Sequence, residues 1–394
     1  MMQKEPYRRH KCGLIQKANN FSMNNLIIIT LDGARTDFVK NSSLFRNLES
    51  KSLFSYNCIT YAPHTIAAMH AIFSGTYGSR NGTNSYWSTF QFKKHQFKTL
   101  TEYLENNNFE TIADLHSDIL IPKQGFGEFL IHDEHNENIE SKHLKLIENI
   151  SEDSDKNFFL YLHYSYIHTK IGENVVKKYT NFSKEYFLNK DSNKIAYSSY
   201  FNKAESYLSS ILEKIINLGL DKNSIICILS DHGISVGEKI GERAYGAFLF
   251  DYTIKSFCYF LFPESKSFEI KQQIRTIDIM PTILEKLGIS LDDKFSKIDG
   301  ISLIPFLDGK ILDNNFAFSE TGNPLDKDQP PKLPNTKSLR TDDWKLIYNE
   351  YNNSKELYDL KNDPNELTNV FGEFPEIEEK FWKKMNQLEE GIQD

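Results

Sequence analysis

Three runs along this chain are apolar without interruption, and each ends in side chains that bind ions. Leu26 to Leu31 runs into Asp32-Gly33, Phe158 to Leu162 into His163 with His168 close behind, and Ser224 to Leu229 into Asp231-His232. Short continuous runs of this kind predict strands buried on both faces, the signature of parallel pairing. Helical patterns separate them, over Phe97 to Glu105, Ala196 to Leu218 and Phe268 to Leu287, the last restarting near Pro281. Ile66, Met69, Ile72 and Phe73 recur at helical spacing behind Thr65, which predicts a helix packed on the sheet with Thr65 at its N-terminus.

Strands alternating with helices give an α/β fold: a large, mostly parallel central sheet sandwiched by helices. Gly322 to Pro334 reads as an irregular loop; Ser338 to Tyr348 and Lys355 to Leu360 read as short antiparallel strands before a terminal helix from about Pro375. The expected organisation is a polar extension over 1–24, a catalytic α/β domain over 25–310, and a smaller C-terminal α+β subdomain over 311–394.

Composition narrows the function. At 394 residues, 39% hydrophobic and 25% charged, the chain is globular, and its net charge of −8 excludes a general affinity for nucleic acid. No run is long and charge-free enough for a membrane span, and the first 25 residues hold no apolar leader, which points to the cytoplasm. Four scattered cysteines offer neither a disulfide framework nor a zinc knuckle. Oligomeric state is not written in the pattern.

The chemistry lies at the strand ends, where open α/β sheets gather their active sites. Asp231 and His232, followed by Gly233, offer an oxygen and an imidazole to one ion; the bland alternative is a turn whose Asp caps the next segment. Oxygen and nitrogen donors together favour Zn or Mn over Ca or Mg. Asp32 alone is an ordinary Asp-Gly turn, and Thr65 alone is a helix cap. As a set, Asp32, Thr65, Asp231 and His232 compose one divalent-metal site with a hydroxyl at a helix N-terminus, where an anion is attracted. Tyr86, Trp87 and Phe90 either shape a sugar or base pocket or simply pack.

In order along the chain, LDGAR, PHTIAAMHAIFSGTYGSRNG, SDHGISVGEK, GAFLFDYTIKSF, DGISLIPFLDGK and KELYDLKNDPNELTNV resemble successive motifs of the alkaline phosphatase superfamily, sulfatase-like branch. The resemblance implies the alkaline phosphatase-like fold, metal ligation by Asp32, Thr65, Asp231 and His232, and Thr65 as nucleophile. It also implies His168 as general acid or substrate contact, Asn84 as a substrate-binding donor, and Ala244 or Tyr245 at the place of a relative's substrate-binding His or Lys; Lys170, by its own charge, is a substrate-binding candidate, the bland alternative being an exposed lysine. Sulfatases carry Cys or Ser in Cys-x-Pro-x-Arg and convert it to formylglycine; here Thr65, Ala67 and Met69 stand instead. Threonine cannot yield that aldehyde, so the resemblance shifts toward phosphodiesterases and phosphoethanolamine or phosphoglycerol transferases. In the two-metal relatives an Asp stands four residues before the histidine, where this chain has Tyr164, so one firm metal is expected. The expected activity is metal-dependent hydrolysis or transfer of a small-molecule or glycan phosphoester. The alternatives are a sulfatase with unusual activation and a non-catalytic, metal-stabilised binding protein.

Overall fold

The computed structural model describes residues 25–152, 156–263, 266–311, 316–322 and 333–390. The expected extension over 1–24 and most of the expected loop over 322–334 lie outside the described residues. Nine strands form the central sheet: β1 (Asn25–Leu31), β2 (Leu53–Ile59), β3 (Glu110–Leu115), β4 (Glu128–Ile131), β5 (Phe158–Tyr164), β6 (Ser224–Leu229), β7 (Lys255–Leu261), β8 (Phe268–Glu269) and β9 (Ile274–Arg275). Their order is β4-β3-β5-β1-β6-β7-β2-β8, with β9 also paired to β2. From β4 through β6 every pairing is parallel; β7 runs antiparallel to both neighbours. The three strands read from the apolar runs, β5, β1 and β6, lie side by side at the centre. Their carboxyl ends therefore open at one place.

The alternation of side chains along β1 divides the core in two. Ile27, Ile29 and Leu31 face one layer with Tyr197, Phe201, Leu208 and Ile211 of the Lys190–Asn217 helix, while Leu26 and Ile28 face the other with Ile66, Met69 and Phe73 of the Thr65–Ser74 helix. A strand with apolar residues on both faces can only be a central one. At about 1.5–3 kcal/mol for each fully buried aliphatic side chain, these two layers dominate the fold's stability.

One expected element is different. The stretch Phe268 to Leu287 is not a single helix: it holds the two-residue strands β8 and β9, a short 3-10 turn over Thr276–Asp278, and a helix only over Ile279–Lys286. Backbone pairing with β2 captures the first half before a helix can propagate. Pro281 does mark the helix start, at its third residue. The first expected helix likewise begins later, at Leu100, because Thr99 and Glu102 close a capping box there.

The C-terminal region is a four-stranded antiparallel sheet of β10 (Ala317–Thr321), β11 (Thr336–Arg340), β12 (Trp344–Asn349) and β13 (Ser354–Asp359), with the Pro375–Glu389 helix against it. The expected single strand over Ser338 to Tyr348 is a hairpin turning at Thr341–Asp343. A buried ion cluster ties this sheet to the main body: Asp251, just before β7, pairs with Arg340 at 2.9 Å and Lys345 at 3.0 Å. Burial alone would raise the Asp251 carboxyl, but Arg340 and Lys345 hold it well below the ordinary range.

Gly233, in the turn after β6, is packed tightly enough to test. A β-carbon there would stand 2.2 Å from the Tyr252 carbonyl oxygen. Gly233→Ala is expected to lower stability by about 2–3 kcal/mol through backbone displacement. Denaturant titration checks this, and an unchanged midpoint would show that the turn has slack.

Candidate active site

Asp32 is presented where β1 ends and the chain turns. Gly33 takes φ +74°, a conformation side-chain-bearing residues rarely adopt, and a β-carbon there would meet Ile234 at 3.0 Å. Asp231 and His232 follow β6 on the neighbouring strand. Asp231 Oδ1 accepts the Gly33 N–H at 3.2 Å, a contact spanning 198 residues of chain, so this carboxylate joins two strand ends instead of capping its own turn.

Thr65 arrives from a third direction. It is the first residue of a ten-residue helix that is buried throughout, and His64, not Thr65, occupies the capping position. The His64 side chain makes no cap bond, and the Thr65 hydroxyl turns toward the strand ends. Its Oγ1 lies 3.4 Å from Asp32 Oδ2 and 3.4 Å from His232 Nε2. The structure thus gathers all four expected ligands.

These groups fit a cation. One donor atom each from Asp32, Asp231 and His232 lies within 4.8 Å of the others, and all three residues are fully buried. His232 Nδ1 sits 2.8 Å from the Gly233 carbonyl, which can only accept, so a neutral ring carries its lone pair on Nε2. That lone pair stands 3.6 Å from Asp32 Oδ1 and 3.5 Å from Asp231 Oδ2. Both of those carboxylate oxygens are buried without a hydrogen-bond partner. Three electron-rich atoms converging in a buried space are a candidate donor set for a divalent metal.

Histidines surround the carboxylate. His163, behind the apolar run of β5, places Nε2 3.1 Å from Asp32 Oδ2 and Nδ1 2.8 Å from the Tyr161 hydroxyl. His168 Nδ1 is 3.7 Å from the same Asp32 oxygen. Burial pushes the Asp32 carboxyl up, but His168, His163 and His232 together bring it well below the usual carboxylate range. Tyr245 hydrogen-bonds His168 Nδ1 at 3.2 Å. Burial, then Tyr86 and Asp32, push its hydroxyl well above its ordinary value, so it stays protonated.

Two expected contacts are engaged elsewhere. The Lys170 ammonium pairs with Glu173 at 2.7 Å on the partly exposed face of its helix. The Asn84 side chain bonds the buried Glu320, and its N–H donates to Ser88 Oγ at 2.9 Å. Tyr164 lies flat against Tyr207 with ring centroids 3.7 Å apart, which takes it out of any ligand role.

Other groups went unread in the sequence. His64 stacks on Tyr86 at 4.4 Å, and burial together with His232 pushes it down to about 3, so it is neutral. His116 stands 5.2 Å from the His163 ring and 5.4 Å from the His168 ring. It follows β3 directly, but the mixed sequence ETIADL, with no unbroken apolar run, hid that strand. A second buried group, Asp114, His132 and His143, also has ligand-type geometry. There Lys142 lies 3.1 Å from Asp114 Oδ2 and both imidazoles meet Asp114 Oδ1, so the carboxylate is neutralised by its own neighbours.

Beside the Asp32 cluster opens a pocket of about 260 Å³ lined by His64, Tyr86, Trp87, Arg243 and Tyr245 among others. Tyr86 and Trp87 therefore do shape a pocket, while Phe90, 88% exposed, does not line it. The loop carrying Arg243 and Tyr245 is closed by Glu242, whose Oε1 accepts the N–H groups of Ala247 and Phe248 at 2.9 and 2.8 Å.

With this geometry the comparisons with known proteins agree. The chain belongs to the sulfatase family, whose profile matches residues 24–289. Residues 246–391 match the C-terminal region of N-sulphoglucosamine sulphohydrolase. Human arylsulfatase K is 28% identical over 192 residues, 47% of this chain and 35% of that protein. The Delta 4,5-hexuronate-2-O-sulfatase of Bacteroides thetaiotaomicron is 25% identical over 186 residues, 44% of this chain and 36% of that one. The chain spans about a third of the length of these curated relatives. Among solved structures, a 2-O GAG sulfatase superposes with TM-score 0.75 at 16% identity, covering 93% of this chain and 92% of the other. The phosphonate monoester hydrolase of Agrobacterium radiobacter superposes with TM-score 0.72 at 14% identity, covering 93% and 95%. The family is one of sulfatase-like ester hydrolases that bind a divalent metal. Among the described residues, no helix is long and apolar enough to cross a membrane.

The Glu242 carboxyl gives the pocket loop a pH dependence. Burial raises it from 4.5 to about 8. Its stabilising contribution is complete below about 4.5 and is lost as the pH rises to about 8, because the unfolded chain ionises first. Glu242→Gln removes that loss while an amide oxygen still accepts both N–H groups. Relative to the variant, the unsubstituted chain should lose stability by a few kcal/mol between pH 5 and pH 8, read from denaturant midpoints; parallel curves would contradict the assignment.

Proposed function

We propose that this chain hydrolyses an ester of a tetrahedral oxyanion on a small molecule or glycan, with sulfate ahead of phosphate. The observation that carries the reading is the Thr65 hydroxyl, held 3.4 Å from both Asp32 and His232 at the N-terminus of a buried helix. The sequence alone puts phosphoesters first, because threonine cannot become formylglycine. The curated relatives named above are sulfatases, and the phosphonate hydrolase shares the fold alone, which reverses that order.

Asp32, Asp231 and His232, with Thr65, would hold the divalent cation, zinc or manganese by donor type ahead of calcium or magnesium. When bound, the cation supplies positive charge that polarises the ester and acidifies a neighbouring hydroxyl. The chain's own residues do the rest. Free N–H groups of the first helical turn behind Thr65 attract the anionic ester. Thr65 Oγ1, releasing its proton to solvent, forms the new bond to sulfur or phosphorus as the bond to the alcohol oxygen breaks, and regains a proton when water discharges it. His168 donates a proton to that alcohol. With the Tyr245 O–H donating to Nδ1, the proton of a neutral His168 ring sits on Nε2, available to the leaving group. His163 holds Asp32 in place. Water then cleaves the oxyanion from Thr65.

The second reading, phosphoester hydrolysis or phosphoryl transfer, is favoured by Thr65 itself, which cannot be converted to formylglycine and must act as a plain hydroxyl. One assay separates the two. Aryl sulfate, aryl phosphonate and bis-aryl phosphate are offered to the unsubstituted chain and to Thr65→Ala, with divalent metals supplied. The expected result is turnover of at least one ester, sulfate fastest, and a loss of at least about 10³-fold in Thr65→Ala. Full activity in the variant, or no turnover of any ester by the unsubstituted chain, would remove the proposal.

A further inference from the structure

Arg243 is a half-buried cation on the wall of the pocket beside the Asp32 cluster. Its Nη1 donates to Asn181 Oδ1 at 2.9 Å, and its backbone N–H reaches the same oxygen at 3.3 Å. Its Nε is buried with no hydrogen-bond partner. Among the described residues no carboxylate pairs with it, in contrast to the neighbouring Arg35, which meets Glu238 at 2.7 Å. Burial lowers its guanidinium, and the groups that act against this are the phenols of Tyr245 and Tyr186, both held in the neutral form. A buried guanidinium N–H without an acceptor is costly, and an anionic oxygen entering the pocket would supply the missing partner.

The position says which ligand. Arg243 lines the same pocket as His64, Tyr86, Trp87 and Tyr245, and that pocket abuts the Asp32 cluster through two of them: His64 precedes Thr65 in the chain, and Tyr245 contacts His168 and His232. Trp87 is 64% exposed and Tyr86 44% exposed, with His64 stacked behind Tyr86. Such rings bind the apolar face of a sugar, while a guanidinium fork binds a carboxylate or sulfate in plane. We infer that Arg243 forms an anion subsite, recognising a second negatively charged group on the sugar ring whose ester is cleaved, or on the next ring. The substrate class is then an acidic glycan carrying an anion besides its scissile ester. This deepens the ester-hydrolase reading and rests on it for the word substrate.

Binding tests the inference without turnover. In a Thr65→Ala background, methyl glucuronide, methyl glucoside 6-sulfate and methyl glucoside are titrated by ligand-observed NMR. At least one anionic sugar should bind at least about tenfold tighter than the neutral one. Adding Arg243→Gln should abolish the preference while leaving methyl glucoside within about twofold, and Arg243→Lys should retain part of it. Whichever anion responds to Arg243 identifies the group as carboxylate or sulfate. Equal binding of all three sugars, or a preference that survives Arg243→Gln, overturns the inference. Because nothing is hydrolysed, failure of every ester assay leaves this result standing, and loss of the preference leaves the hydrolase reading standing.

Discussion

Two carboxylates brought face to face govern this molecule. Asp32 and Asp231 end adjacent parallel strands, and both are wholly buried. At the separation within which their donor atoms cluster, two like charges repel by roughly 3–4 kcal/mol at an effective dielectric near about 20. Each keeps one oxygen without a hydrogen bond. The fold sets them in place by backbone pairing across β1 and β6, where no local rearrangement relieves the repulsion. A cation held among them would turn that repulsion into attraction. Everything at the site follows: the neutral Nε2 of His232 faces inward, and the Thr65 hydroxyl is drawn to the same point.

The surrounding architecture serves this arrangement. β5, β1 and β6 are the centre of the sheet, apolar on both faces, so their carboxyl ends are the most rigid positions available. Chemistry placed there is held to the precision that bond-making demands. The pocket beside it is built from loops, with Glu242 fastening one and the aromatic pair Tyr86 and Trp87 on another. Rigid chemistry with recognition on the loops lets one family act on different esters.

Legibility in the sequence tracked local physics. The central strands were readable because burial on both faces leaves an unbroken apolar run. β3, written ETIADL, was not, and with it went His116. Phe268 to Leu287 carried helical periodicity, yet pairing to β2 overrode it across its first half, a tertiary effect that no window reveals. Asp32, Asp231 and His232 stood out at strand ends and Thr65 at the start of a helical pattern, and the family resemblance strengthened the grouping. Asn84 was named from that resemblance and Lys170 from its charge, but local partners, Glu320 and Glu173, engage them. Arg243 had no signal at all, since its meaning lies in which carboxylates fail to surround it in space.

The most direct test of the account is the metal content of the purified chain and its effect on folding. Elemental analysis should find about one divalent ion per chain, lost in Asp231→Asn, and chelation should lower the melting temperature of the unsubstituted chain by several degrees with recovery on adding the ion back. A chain that carries no divalent ion, and whose melting temperature is the same with chelator and with added metal, would contradict the central claim that these buried carboxylates are paired by a cation.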